Sequence, residues 1–252
     1  MSRVLSAHFF FKKTMFFYVI TCNLNIMYDI IILNVKLKGA KDMKDIHLLG
    51  KKVIIDKSPI LLDYKPSADW QNYWMPKCGN WSFDGKCLIG EEPENKGGIL
   101  LSKDWYDDNV MMTFTGRTVL PATRDLNAVC CARWDEKTDY LGDCYVCGLN
   151  GWYENKAGIE KNTVGIESLL YSTTSAFKYV PGTDVEMTFG AIDGHSFMVV
   201  DDLLVTELID PNPLKCGYIG FSAYCTRLMI KDIKIRKIYW EEFIQRYEPE
   251  FL

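Results

Sequence analysis

The C-terminal third of the chain consists of short segments in which apolar and polar residues alternate, with tight-turn residues between them. Asp193-Gly194 and Asp201-Asp202 are two of these turns, and both residue types tolerate the positive φ angles that two-residue hairpins need. The segments from Gly217 to Tyr224 and from Leu228 to Ile235 continue the alternation. A period of two indicates strands with one buried face. The region therefore predicts antiparallel hairpins in a β-sandwich.

The remainder of the chain repeats this pattern. A hairpin is predicted from Asn80 to Gly90 around Asp84-Gly85, and strands are predicted near Val110, from Leu126 to Trp134 and from Leu141 to Leu149. A chain of 252 residues that is 48% hydrophobic can bury a substantial core in one domain. We therefore expect an all-β, two-sheet antiparallel jelly-roll sandwich.

The end of the chain carries two further local signals. The apolar phase changes between Ile230 and Ile233, which predicts a β-bulge at Lys231-Asp232 that keeps both halves of the last strand facing the core. Beyond it, a set of apolar residues follows helical spacing until Pro249, and this spacing predicts a short C-terminal helix. These residues are Trp240, Phe243, Ile244 and Tyr247.

Residues 1–42 differ in composition from the rest, and we expect the sandwich to occupy residues 43–252. Lys38-Gly39-Ala40 can be encoded by a ribosome-binding sequence at the usual bacterial distance from Met43. This favours a mis-set start, with Met43 as the true first residue and a cytoplasmic protein with free thiols. The alternative is a signal or membrane anchor, which would make the protein exported or anchored.

The charge balance bears on the type of partner. The formal net charge is -4, which provides no basic field for a phosphate backbone, so we expect no nucleic-acid partner. We also expect no membrane partner if the chain starts at Met43, and the oligomeric state stays open.

A polar face with arginine, amide, carboxylate and aromatic groups is predicted from three strands in the middle of the chain. Such groups bind sugars by pairing with hydroxyls and stacking on the C–H faces. We expect them on the concave face of one sheet, opposite a buried apolar phase. The predicted residues are Arg117, Asn127, Arg133, Asp143 and Tyr145.

The loop after the fourth predicted strand adds aromatic and acidic residues. Trp152 and Tyr153 are predicted at the rim of this binding surface, although Trp152 covering only the core edge is an equal alternative. Glycoside hydrolysis needs a pair of carboxyl groups. Asp143, Glu154 and Glu160 are the candidate catalytic residues.

The metal and cofactor signals are weak. Cys144-x-x-Cys147 is a single CxxC within a strand, and a tetrahedral zinc site needs two further ligands. Buried thiols are the favoured interpretation. No phosphate loop or nucleophile motif is present in the sequence, so we expect neither a metal nor a cofactor.

From about Trp70 to Ile238 the chain resembles the concanavalin A-like lectin/glucanase (laminin G-like) superfamily. The resemblance rests on the Phe83-Asp84-Gly85 hairpin, the closing Gly217-Tyr-Ile-Gly-Phe221 strand and the final Ile230-Lys-Asp-Ile-Lys-Ile235 strand. Within the superfamily it is similar to the YesU-like group of bacterial sugar-utilisation proteins. The glucanase signature E-x-D-x-x-E does not occur in the chain.

This resemblance implies a jelly roll and a function connected with carbohydrate. We expect a protein that binds or processes oligosaccharides derived from plant polysaccharides. The alternatives are a glycoside hydrolase or polysaccharide lyase with paired carboxylates, and a non-catalytic interaction module. Whether the protein is an enzyme stays open.

Overall fold

The computed structural model describes residues 44–92, 97–107, 109–152, 155–163 and 170–244. Two short 3-10 helices, Ile55–Lys57 and Trp70–Asn72, interrupt an otherwise all-β chain. The strands are, in chain order, β1 (Ile46–Leu48), β2 (Lys51–Val53), β3 (Ile60–Tyr64), β4 (Trp74–Cys78), β5 (Asn80–Phe83), β6 (Leu88–Glu92), β7 (Gly98–Ser102), β8 (Val110–Thr118), β9 (Leu126–Ala132), β10 (Trp134–Asp135), β11 (Tyr140–Leu141), β12 (Cys144–Gly151), β13 (Lys156–Asn162), β14 (Tyr171–Thr174), β15 (Val185–Ile192), β16 (His195–Val200), β17 (Leu203–Ile209), β18 (Tyr218–Ala223), β19 (Thr226–Lys237) and β20 (Trp240–Glu242).

Two large antiparallel sheets form a sandwich, as the sequence predicts for a jelly roll. The seven-stranded sheet has the order β14-β13-β12-β9-β18-β7-β4. The eight-stranded sheet has the order β17-β16-β15-β8-β19-β6-β5, with β3 paired to β19. Consecutive strands such as β8 and β9 therefore lie in different sheets, a jelly-roll feature that matters for the site.

The core lies between the inner faces of these sheets. Phe114 of the eight-stranded sheet meets Phe221 of the seven-stranded sheet edge to face, with ring centroids 5.0 Å apart, and Trp74 packs against Phe221 at 5.5 Å. All three side chains are fully buried. Burying a large side chain of this kind contributes roughly 1.5–3 kcal/mol, so these contacts hold the two layers together.

The predicted hairpins are confirmed. β15 pairs with β16 around Asp193-Gly194, and β16 pairs with β17 around Asp201-Asp202. All four turn residues have positive φ, which these residue types tolerate. β5 and β6 pair as well, but their connection spans 84–87 rather than two residues, and the Asp84 carboxylate accepts hydrogen bonds from the N–H groups of Lys86 and Cys87.

At the end of the chain one prediction is confirmed and one is wrong. The register of β19 against β8 shifts between Lys231 and Lys234, and Asp232 has φ 51°, as a bulge there requires. The predicted helix does not form at Trp240–Glu242, which is instead β20 and pairs with β2. The open backbone edge of β2, together with a Lys51 ammonium 5.4 Å from the Trp240 ring, outweighs the helical spacing. Tyr247 lies outside the described residues.

A small hairpin, β10–β11, covers part of the outer face of the seven-stranded sheet. Leu141 and Trp134 of this hairpin pack on a second apolar cluster that includes Leu101 and Val129. The hairpin therefore occupies one part of that face and forms a wall beside the part it leaves open. Among the described residues, no helix has the length and apolar character needed to cross a membrane. The predicted segment 1–42 lies outside those residues.

Candidate functional site

The predicted binding face is not one surface, and Arg117 shows the first reason. Arg117 lies on β8 in the eight-stranded sheet, whereas Asn127 lies on β9 in the seven-stranded sheet. The Arg117 guanidinium forms an ion pair with Asp184 at 3.2 Å, and Lys231 contacts the same carboxylate at 2.7 Å. The prediction that Arg117 joins the other site residues is wrong because β8 and β9, although consecutive in the chain, lie in different sheets.

Tyr145 contradicts the prediction in a different way, because its side chain points into the core. It is fully buried, and its hydroxyl donates to Asp210 Oδ2 at 2.8 Å. The Lys161 ammonium lies 2.7 Å from the same carboxylate oxygen, and the Leu214 N–H donates to the Tyr145 hydroxyl. Tyr145 is thus a structural residue that anchors the loop 210–214.

Arg133 and Asp143 contact each other through the backbone. The Arg133 N–H donates to the Asp143 carbonyl at 3.0 Å, while the Arg133 guanidinium lies 5.3 Å from the Trp105 ring. Between two paired positions, β9 advances by three residues while its partner β18 advances by two, and Cys131 within this stretch of β9 has φ 50°. This β-bulge changes which side chains face each side of the strand before Arg133. Strict alternation from Asn127 therefore does not predict the direction of the Arg133 side chain.

The outer face of the seven-stranded sheet does contain a depression of about 440 Å³. Outward-facing strand residues form its floor, and residues from the connections and from the β10–β11 hairpin form its sides. The lining residues are Arg124, Asp125, Asn127, Tyr140, Leu141, Val146, Trp152, Glu160, Asn162, Ser222 and Tyr224. Three predicted site residues meet here: Asn127, Trp152 and Glu160.

Asp125 and Asn127 supply buried acceptor atoms to the depression. The two residues are 7% and 8% exposed, and neither Asp125 Oδ2 nor Asn127 Oδ1 has a hydrogen-bond donor in the described part of the chain. Arg124 forms an ion pair with Asp125, in which its Nε lies 3.5 Å from Oδ2 without hydrogen-bond geometry. Leaving such atoms unpaired costs about 1–3 kcal/mol each, which a ligand donor would recover.

Burial raises the pKa of Asp125 to about 6. Arg124 and the Asn127 amide act in the opposite direction, and the nearby Glu160 charge raises the pKa further. The absence of a side chain at Gly151 leaves room for this carboxyl, because a Cβ there would lie 3.0 Å from Asp125 Oδ1. The site thus holds a carboxyl group that releases its proton near neutral pH.

Trp152 and Glu160 form the wall opposite Asn127. The Trp152 Nε1–H donates to Glu160 Oε2 at 2.8 Å, and the indole ring lies over Gly158, whose absent side chain leaves room for it. Trp152 has φ 50° and is half-buried. This hydrogen bond fixes the orientation of both an aromatic ring and a carboxylate at the site.

Tyr140 and Tyr224 complete the sides, each with more than a third of its surface exposed. Asn162 joins the floor to the hairpin by donating to the carbonyl oxygens of Leu141 and Gly142. The predicted residues Tyr153 and Glu154 lie outside the described residues, and Asp143 is not part of the lining.

Sequence reasoning did not identify Arg124, Asp125 or Tyr140. One signal was available for Asp125, since a polar Thr-Arg-Asp run directly precedes the strongly apolar strand β9. Residues at the start of a strand lie where the strand meets its connection, and connections often carry binding groups. For Tyr140, the fold of the β10–β11 hairpin across the sheet is needed, and no local pattern encodes it.

The cysteines do not form a metal centre in the described part of the chain, where no group of three or more potential ligands is arranged to hold an ion. Cys144 packs in the outer apolar cluster, whereas Cys147 packs in the central core. The two thiols of the CxxC therefore lie on opposite faces of β12 and cannot share one ion.

Comparisons with known proteins show the fold. No family model matches the chain, and no curated protein matches it. The carbohydrate binding module CBM66 from Bacillus subtilis is 14% identical, with 65% of this chain and 94% of that chain covered and a TM-score of 0.50. A Bacillus subtilis protein of unknown function with a galectin-like fold is 12% identical, with 71% and 96% covered and a TM-score of 0.56. The chain thus has a lectin-type jelly-roll fold.

Proposed function

We propose that this protein binds a saccharide in the depression on the outer face of the seven-stranded sheet. The observation that carries the proposal is the pair of buried acceptors, Asp125 Oδ2 and Asn127 Oδ1, which lack donors in the described residues. Sugar hydroxyls are donors of the required kind, and Trp152 with the rim tyrosines offers ring faces for sugar C–H surfaces. The similarity in fold to a carbohydrate binding module supports this choice.

The source of the ligand, the biological role and the location of the protein are proposed from the family resemblance. We infer a ligand derived from plant polysaccharides and a role in bacterial sugar utilisation like that of the YesU-like group. A cytoplasmic location belongs to the same proposal. None of these parts is needed for the site itself.

A glycan array with the full-length protein, followed by calorimetric titration of the best ligand, tests the proposal. Asn127→Ala removes an acceptor oxygen that has no donor in the described part of the chain, so the protein should keep its melting temperature and lose about 1–2 kcal/mol of binding free energy. Arg117→Ala on the other sheet is the matched control and should bind normally. An array without binding supports the interaction-module alternative, and equal losses in the two variants would place the ligand elsewhere.

A second function, glycoside hydrolysis, is favoured by one observation. Burial raises the pKa of Asp125 to about 6, and the charge of Glu160 in the same depression raises this pKa as well. General acid catalysis at a glycosidic bond requires a carboxyl group with a raised pKa and a second carboxyl group beside it. Glu160 would keep its predicted role, and Asp125 would replace Asp143 as its partner.

Release of reducing ends from the bound oligosaccharide separates the two functions. If the protein is a hydrolase, Asp125→Asn should reduce turnover by at least about a hundredfold, the contribution typical of a general acid. Binding without product formation by the unmodified protein would leave saccharide binding as the function.

A further inference from the structure

The depression combines a surplus of acceptor atoms with a surplus of negative charge. Among the described residues that line it, the charged ones are Arg124, Asp125 and Glu160. The Arg124 side chain is 51% exposed, so water screens its charge, whereas Asp125 is buried. The floor of the depression is therefore anionic when both carboxyl groups are ionised.

The hydrogen-bonding chemistry at the floor points in the same direction. Asp125 Oδ2 and Asn127 Oδ1 both need donors. A hydroxyl brings one donor together with acceptor lone pairs, while an ammonium group brings three donors and no acceptor. A hydrogen bond from a cation to a carboxylate is also about twice as strong as a neutral one.

The neighbouring wall is compatible with a cation. Trp152 donates to Glu160 and so directs a carboxylate towards the same depression, where its charge raises the pKa of Asp125. A bound positive charge would relieve this repulsion. The exposed rings of Tyr140 and Tyr224 can attract a cation through their π faces.

We propose that the depression selects a cationic amino sugar, with the ammonium group of the ligand donating to Asp125 Oδ2 and Asn127 Oδ1. This proposal rests on the proposed saccharide-binding function and names its ligand class. A uronic acid, whose carboxylate would face Asp125 and Glu160, is the sugar class that the site rejects.

NMR titration of the full-length protein with matched sugars tests the proposal. The titrations are run at a pH where the amino group of the sugar is protonated. Glucosamine, galactosamine and mannosamine are each compared with the neutral hexose, the N-acetyl derivative and, for glucose and galactose, the uronic acid. At least one hexosamine should bind roughly tenfold or more tightly than its neutral hexose. The N-acetyl sugar should resemble the hexose, and the uronic acids should bind most weakly.

Two variants connect this preference to the site. Asp125→Asn keeps the shape of the side chain and should reduce the ratio of hexosamine to hexose affinity to about one. Asp184→Asn removes the same charge from the other sheet, where it pairs with Arg117 and Lys231, and should leave the ratio unchanged. If Asp125→Asn does not fold, Glu160→Gln takes its place and should lower the ratio as well.

The outcomes separate this inference from the function on which it rests. Neutral hexoses that bind at least as well as every hexosamine, with affinity lost in Asn127→Ala, would overturn the amino-sugar proposal and leave the saccharide site in place. A panel in which no sugar binds would overturn both. A preference for hexosamines that survives Asp125→Asn and Glu160→Gln would also overturn the proposed contact.

Discussion

Two buried carboxyl groups, Asp210 directly after β17 and Asp125 directly before β9, differ in what surrounds them. Asp210 accepts hydrogen bonds from Tyr145, the Asn212 N–H and Lys161. Burial alone would raise its pKa, but these donors outweigh burial and hold the pKa below its usual value. In the described part of the chain Asp125 Oδ2 has no hydrogen-bond donor, and burial raises the Asp125 pKa to about 6. The first group is saturated by the protein, whereas the second is available to a ligand.

The contrast originates in adjacent residues of one strand. Lys161 points from β13 towards Asp210, while Glu160 points to the outer face and meets Trp152. Alternation along a strand places neighbours on opposite faces. A single strand therefore supplies the cation that completes the structural carboxylate and the anion that adds to the charge of the depression.

The largest expected effect comes from breaking the saturated carboxylate. Lys161→Met leaves Asp210, whose side chain is 2% exposed, without its cation. Removing one partner of a buried pair costs about 3–5 kcal/mol, so the free energy of unfolding should fall by that amount in urea titrations. Lys234→Met, which removes the cation from an exposed pair with Asp63, is the control and should cost less than about 1 kcal/mol. Equal losses in the two variants would refute the contrast in burial.

The second prediction concerns the unsaturated carboxylate and the pH dependence of stability. The folded protein holds the Asp125 proton more tightly than the unfolded chain does, because the pKa rises from 3.8 to about 6. The contribution of Asp125 to stability is therefore favourable at low pH and is lost as pH rises from about 4 to about 6, by roughly 3 kcal/mol in all. Asp125→Asn should remove this loss, so the variant gains stability relative to the unmodified protein as pH increases over that range.

Urea titrations at several pH values between 4 and 7 measure this difference. Asp210 provides the opposite sign, because its lowered pKa means that its contribution is present near neutral pH and is lost as pH falls. An Asp210→Asn variant should therefore lose stability near neutral pH, where Asp125→Asn gains it. Parallel pH profiles for the two variants would show that the two carboxyl groups are in equivalent surroundings.

The same comparison shows how far sequence reasoning extends. Turn residues and alternation predicted the sandwich and the bulge at Lys231-Asp232, because these are local consequences of φ preferences and strand period. The assignment of Tyr145 to the binding face failed because an aromatic residue with a polar tip fits either phase, and its partner Asp210 is distant in sequence. Residues from separate connections, such as Asp125 and Trp152, meet through the pairing of β9 with β12 and of β12 with β13.

A third prediction tests the wall of the depression. Trp152→Phe keeps an aromatic ring and removes the hydrogen bond to Glu160 Oε2. Because both groups are half-buried, we expect a loss of about 1 kcal/mol in ligand binding, with a change in the free energy of unfolding of similar size or less. Glu160→Gln, which retains an acceptor for the indole N–H, should preserve the orientation of Trp152. The Trp152 indole N–H signal is assigned by its absence from the NMR spectrum of Trp152→Phe. It should keep its chemical shift in Glu160→Gln, and a large shift there would contradict this expectation.

The smallest expected effect is that of Arg117→Ala, and it defines the boundary of the site. Arg117 lies on the eight-stranded sheet, where its ion pair with Asp184 is about one-third exposed and Lys231 contacts the same carboxylate. Such pairs contribute at most about 1 kcal/mol, and Lys231 can compensate for the lost charge. Stability should therefore change little, and saccharide affinity should not change at all, since the depression is built on the other sheet.

Arg133→Ala provides a stricter comparison, because Arg133 follows β9 but packs on Trp105 outside the lining of the depression. If either arginine variant lost affinity as Asn127→Ala is expected to do, the ligand would contact a surface other than the one that Asp125 and Asn127 define.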